Sequence, residues 1–84
     1  MKRLELGNKL RETRVAKNLS QEELARMVGT TRQTIISIEK KQFNPTTKLA
    51  ILLSLALDCK VEDLFYLEWK RQLINAFFLM YIII

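Results

Sequence analysis

The stretch QEELARMVGTTRQTIISIEK, residues 21–40, decides how this chain of 84 residues folds. Ser20, which precedes it, forms a capping box with Glu23, because the hydroxyl can accept from the amide of residue 23 while the glutamate reaches back. Apolar residues then recur on one face of a short helix at 21–28. These residues are Leu24, Ala25 and Val28.

The same stretch supplies what two steeply crossing helices need. Ala25 is the small residue at their contact, and Gly29, four residues later, can adopt the positive φ of a tight turn. A second helix at 31–40 then buries Ile35 and Ile38. Ala25, Gly29 and Ile35 thus place a small residue, a glycine and an isoleucine at offsets 0, 4 and 10, and this spacing predicts a helix-turn-helix.

The sequence around this pair predicts further helices and no strand within residues 1–66. Asn18 is a reasonable left-handed end for the first helix, Asn44 and Pro45 are typical of the start of the fourth, and Phe43 is expected to fold back onto the core. The five helices are expected at 4–17, 21–28, 31–40, 45–57 and 61–66. We therefore expect an all-α fold, a compact five-helix domain over residues 1–67 with an apolar C-terminal extension over 68–84.

The composition argues against catalysis. The chain has no histidine, its lone cysteine is Cys59, and its two glycines, Gly7 and Gly29, are too far apart to cradle a phosphate. The sequence therefore predicts no enzyme, no metal site and no cofactor. The first residues, MKRLELGN, contain no apolar signal segment, so a cytoplasmic location is expected.

The basic residues are concentrated in the first half of the chain. Residues 1–48 hold eleven Lys and Arg against five acidic residues, whereas residues 49–84 hold three against four. A surface that binds a polyanion is therefore expected in the first half, although charge alone does not separate nucleic acid from membrane.

Residues 4–66 resemble the five-helix domain of the phage-repressor/Cro-like (Xre-type) family. GTTRQTIISIE is similar to the family's turn and recognition helix, and NPTTKLAILLSLAL followed by VEDLF resembles its fourth and fifth helices. Thr30 departs from the pattern, because an aliphatic residue is common there. The resemblance implies a recognition helix in the DNA major groove, a symmetric dimer, and a structural ion pair between Arg14 and Glu39.

The outer face of the helix at 31–40 carries side chains that can read bases. Arg32 can pair with guanine and Gln33 with adenine. Ser37, one turn further on, can reach a base or a phosphate, and Ile36 fits either a thymine methyl or the margin of the core. Gln21, at a helix N-terminus, and Thr31 are expected to contact phosphates. The resemblance adds four more phosphate contacts: Lys40, Lys41, Asn44 and Thr46.

Residues 73–84 are apolar except for Asn75, and three interpretations remain open. The segment could be a helix packed on its own domain or on a dimer partner, a strand that pairs across the dimer, or an anchor at a membrane surface. As a helix, twelve residues span about 18 Å, too short for the ~30 Å hydrocarbon core, so a membrane-spanning anchor is disfavoured. Of the three interpretations, the packed helix is favoured most and the membrane-surface anchor least.

These observations predict a sequence-specific regulator that binds double-stranded DNA. The expected form is a homodimeric repressor on a palindromic operator. The alternative is an antitoxin-like interaction protein that holds a protein partner through residues 73–84.

Overall fold

The computed structural model describes residues 2–71, and these form five helices and a two-stranded antiparallel sheet. The side chain of Arg71 and residues 72–84, which include the apolar segment 73–84, lie outside the described part. In chain order, the elements are β1 (Lys2–Asn8), α1 (Leu10–Ala16), α2 (Gln21–Val28), α3 (Arg32–Glu39), α4 (Thr47–Ala56), α5 (Val61–Leu64) and β2 (Phe65–Arg71).

Apolar side chains from all five helices meet in one core. Each completely buried leucine or isoleucine contributes about 1.5–3 kcal/mol relative to an exposed one, so this cluster holds the helices together. Its largest completely buried members are Leu10, Leu24, Ile35, Ile38, Leu53, Leu57 and Leu64.

The turn between α2 and α3 forms as the sequence predicts. Glu23 N donates to Ser20 Oγ and Ser20 N donates to Glu23 Oε1, both at 3.0 Å, which confirms the capping box. The hydrogen bond from the Ser20 backbone holds the pKa of Glu23 below its ordinary value. Gly29 ends α2 with φ 74°, and Asn18 follows α1 with φ 57°.

The expected all-α class is wrong, because β1 and β2 pair at the two ends of the described chain. The helix predicted at 4–17 is reduced to α1, since residues 2–8 are extended. The helix predicted at 61–66 stops at Leu64, and the chain continues as β2. The register places Leu6 opposite Leu67 and Gly7 opposite Tyr66. Each strand thus obtains its backbone hydrogen bonds from a partner about sixty residues away, which local periodicity cannot reveal.

Tyr66 covers Gly7 in this sheet. A Cβ added at Gly7 would lie 2.5 Å from Tyr66 Cε2, so only glycine leaves room for the ring where it lies.

The start of α4 also differs from expectation. Thr46 is the N-cap, with its hydroxyl accepting from Leu49 N at 3.1 Å, and Pro45 and Asn44 precede the helix. The threonine is favoured because its hydroxyl satisfies an amide that has no partner inside the helix. Phe43 does not fold back into the core and is 46% exposed.

No helix within residues 2–71 is both long enough and apolar enough to cross a membrane.

Candidate nucleic-acid interface

The helix α3 is fixed to the core along one face. Ile35 and Ile38 are completely buried, and Thr31 caps the helix by accepting from Thr34 N at 3.2 Å. The opposite face is therefore directed outward by packing and capping alone.

The four residues proposed to contact bases all lie on α3. Arg32 and Gln33 are exposed in its first turn, whereas Ile36 and Ser37 are half-buried. Gln33 Nε2 donates to Ser37 Oγ at 3.3 Å, which holds the amide along the helix surface. An exposed guanidinium and an exposed amide at a helix start can each make a bidentate pair with a purine edge.

The C-terminal end of α3 is tied to α1 by a buried ion pair. Arg14 Nε donates to Glu39 Oε2 at 2.8 Å and Arg14 Nη2 to Glu39 Oε1 at 3.3 Å, with the side chains 11% and 6% exposed. Arg14 Nη1 also donates to the Leu19 carbonyl at 2.8 Å, and Gln21 Nε2 to Glu39 Oε1 at 3.1 Å. Both charges are thus satisfied by several partners, and α1, α2 and α3 are locked together.

A shallow basic depression lies between the start of α2 and the start of α3. Gln21 and Arg32 line it together with Arg11, Arg14, Ser20 and Glu22. The Gln21 side chain is directed to Glu39, so a phosphate at this end of α2 would meet the backbone amides of its first turn instead. Arg11, which is not among the site residues predicted from sequence, is exposed on α1 at this depression. The signal was Arg11 and Arg14 at i, i+3 on one helix face.

The other proposed phosphate contacts follow α3 along the chain. Lys40 is exposed at the end of α3, and Asn44 and Thr46 are exposed before α4. Lys41 differs, because its Nζ donates to Glu68 Oε1 of β2 at 2.8 Å. This contact raises the pKa of Lys41 and lowers the pKa of Glu68.

A second shallow depression extends the outer face of α3. Gln33 and Ser37 line it with Thr31 and Thr34, and Gln42 and Phe43 complete its far side. The sequence predicts Phe43 in the core and gives no functional signal at Gln42. Only the loop conformation brings these two residues beside Gln33.

The helical part of the chain matches known proteins. A family model described as Helix-turn-helix matches residues 10–64, which span α1 to α5. An uncharacterized HTH-type transcriptional regulator of Methanocaldococcus jannaschii is 46% identical over 63 residues, 75% of this chain and 96% of the relative. The uncharacterized HTH-type transcriptional regulator YgzD of Bacillus subtilis is 44% identical over 63 residues, with the same two coverages.

Among solved structures, the chain is similar to the restriction-modification controller protein C.AhdI from Aeromonas hydrophila. The two share 39% identity with a TM-score of 0.62, over 64% of this chain and 78% of the other. The strands β1 and β2 lie outside the residues that the family model matches.

Proposed function

Because this chain belongs to the helix-turn-helix family of DNA-binding transcriptional regulators, we propose that it is a repressor that binds a palindromic operator as a homodimer. The observation that carries the proposal is the outer face of α3. Arg32 and Gln33 are exposed at its start while the opposite face is fixed in the core.

In this proposal α3 enters the major groove and reads the operator. Arg32 pairs with guanine O6 and N7, and Gln33 pairs with adenine N6 and N7. Ser37 and Ile36 contact the next base pairs, where the Ile36 side chain meets a thymine methyl. The ion pair at the end of α3 keeps the helix orientation fixed, so that the donors of the reading face do not reorganise on binding.

Phosphate contacts frame the reading helix on both sides. Arg11 and the first turn of α2 hold one backbone segment. Thr31, Lys40, Asn44 and Thr46 hold another, and Lys41 joins them once it exchanges Glu68 for a phosphate. Such contacts position the protein but carry no sequence information.

Two copies complete the regulator. A two-fold dimer places two α3 helices about 34 Å apart, so that they read successive major grooves on one side of the DNA. An operator that overlaps a promoter is then closed to polymerase.

Selection of binding sites from random duplex DNA tests the proposal. We expect a palindromic consensus whose half-sites lie about one helical turn apart. Arg32→Ala should lose preference at one base pair of each half-site, whereas Arg26→Ala, on the exposed side of α2, should select the wild-type consensus. Recovery of an asymmetric site of one half would contradict the dimer, and recovery of no consensus would contradict sequence-specific binding.

A further inference from the structure

Lys41 has a left-handed backbone that a lysine rarely adopts. Helices α1 to α4 are each followed closely by a residue with positive φ, and these residues are Asn18, Gly29, Lys41 and Asp58. Glycine adopts this conformation freely, and asparagine and aspartate tolerate it, whereas a lysine at φ 61° is uncommon. Lys41 N donates to the Ile38 carbonyl at 2.9 Å, which fixes this conformation at the end of α3. Such an outlier indicates that the side chain has a function that outweighs the backbone cost.

The Lys41 side chain is directed to a carboxylate of the two-stranded sheet. Its Nζ donates to Glu68 Oε1 at 2.8 Å, and the two side chains are 39% and 26% exposed. Carboxylate and phosphate oxygens are similar partners for an ammonium group. Because the pair is open to solvent, a phosphate that approaches from outside can take the place of the carboxylate.

Lys41 also belongs to the loop on which phosphate contacts are proposed. Lys40 precedes it, and Asn44 lines the same cleft as Lys41, between this loop and β1. A DNA backbone held by this loop would therefore meet an ammonium group that Glu68 already holds.

Glu68 can release Lys41 because a second lysine remains beside it. Lys70 Nζ lies 3.5 Å from the same oxygen, Glu68 Oε1. The release nevertheless has a cost. Glu5 lies directly opposite Glu68 in the sheet, and like charges in this position repel. Without Lys41, the two carboxylates keep only Lys70 and Arg3, which pairs with Glu5 at 2.6 Å, as close cations.

We propose that Glu68 competes with DNA phosphate for Lys41, and that the two-stranded sheet thereby lowers the affinity of this chain for DNA. The inference rests on the proposed function and adds a regulatory role for β2. In the free protein Glu68 holds Nζ of Lys41. On DNA a phosphate holds it, and Glu68 keeps Lys70. The competition weakens binding to every sequence alike, because phosphate contacts carry no sequence information.

Fluorescence anisotropy of the full chain with a labelled duplex of random sequence, at low salt, measures this competition. Glu68→Gln leaves Lys41 available to phosphate and should bind the duplex about 2–5-fold more tightly, the range expected for an exposed ion pair. Lys41→Asn removes the ammonium group and keeps a residue type that tolerates the left-handed backbone, as Asn18 does. It should bind more weakly and lower the slope of log K against log salt by about 1.

The double variant Lys41→Asn, Glu68→Gln separates competition from a general change of charge. Glu68→Gln should raise the affinity when residue 41 is lysine and have little effect when it is asparagine. Glu5→Gln is the matched control, because it removes the same charge from the same face of the sheet while Glu5 contacts Arg3. Its effect should be similar with either residue at position 41. Far-ultraviolet circular dichroism checks that all variants retain their helices.

Three results would contradict these expectations. The proposal is overturned if Glu68→Gln binds no more tightly than the wild type, and weaker binding would mean that Glu68 instead holds Lys41 in position for phosphate. It is also overturned if the gain is as large in Lys41→Asn, which would make it a general effect of charge. A wild-type chain that binds no duplex would overturn the proposed function itself, and the competition with it.

Discussion

Replacing Glu39 with leucine should destabilise the domain by about 3–5 kcal/mol, because it leaves the buried guanidinium of Arg14 without its carboxylate partner. Arg14 is 11% exposed and would keep only the Leu19 carbonyl, losing both contacts to the carboxylate. A chain of this length has a total stability of about 4–12 kcal/mol, so the variant should be close to unfolding at ambient temperature. The melting temperature should fall by at least ~12 °C.

The stability of the double variant Arg14→Met, Glu39→Leu distinguishes a buried ion pair from an exposed one. Removing both charges leaves no stranded ion, and well-packed apolar residues can replace such a pair at little cost. We expect the double variant to lose about 1–3 kcal/mol, chiefly because the Leu19 carbonyl and the Gln21 amide lose partners.

Urea unfolding followed by circular dichroism measures the four corners of this double-mutant cycle. The coupling energy should be at least ~2 kcal/mol, with the double variant more stable than Glu39→Leu. Arg3→Met is the control, since the Arg3–Glu5 pair is exposed and should cost less than about 1 kcal/mol. Additive single losses, or a loss below about 1 kcal/mol for Glu39→Leu, would refute the argument that α3 is held by a buried pair.

The remaining predictions concern the affinity for DNA and the pH dependence of the contact between Glu68 and Lys41. Arg32→Ala should cost about 1–3 kcal/mol on the selected operator, measured by fluorescence anisotropy, and equal weakening on scrambled DNA would instead make Arg32 a phosphate contact. Arg11→Ala should weaken binding to every sequence and lower the slope of log K against log salt by about 1, while Lys17→Ala, the control, leaves the slope unchanged. The contact with Lys41 lowers the pKa of Glu68, so this contact stabilises the two-stranded sheet at pH values above the ordinary glutamate pKa. The stabilisation is lost as the pH falls from about 4 downward. Trp69 emission should therefore change in that pH range in the wild type and not in Glu68→Gln, and identical titrations would contradict this role for the ion pair.

The helix-turn-helix was readable from sequence because its determinants are local. A capping box, a small residue, a glycine and two isoleucines lie within twenty residues, and each acts on neighbours three or four positions away. The outer face of α3 followed from the same information, since burying Ile35 and Ile38 directs Arg32 and Gln33 outward.

The two-stranded sheet of β1 and β2 could not be derived from local sequence signals. Leu4 and Leu6 fit a helix as well as a strand over so few residues, and nothing near them in sequence supplies the partner strand. Two signals were present. Gly7 is unfavourable inside a helix, and in residues 65–69, FYLEW, the apolar residues Phe65, Leu67 and Trp69 recur with the period of two that is typical of a strand. Phe43 was misplaced for a related reason, because apolarity predicts burial while the path of the loop leaves the ring beside α3.

Lys2 lies opposite Arg71, so the pairing of β1 with β2 joins the first and last described residues. All five helices lie in the loop of chain between the two strands. Closing so long a loop costs entropy that only prior collapse of the helical core can offset. The reading helix should therefore form before the two strands pair, and a nascent chain should present α3 to DNA before its two-stranded sheet is complete.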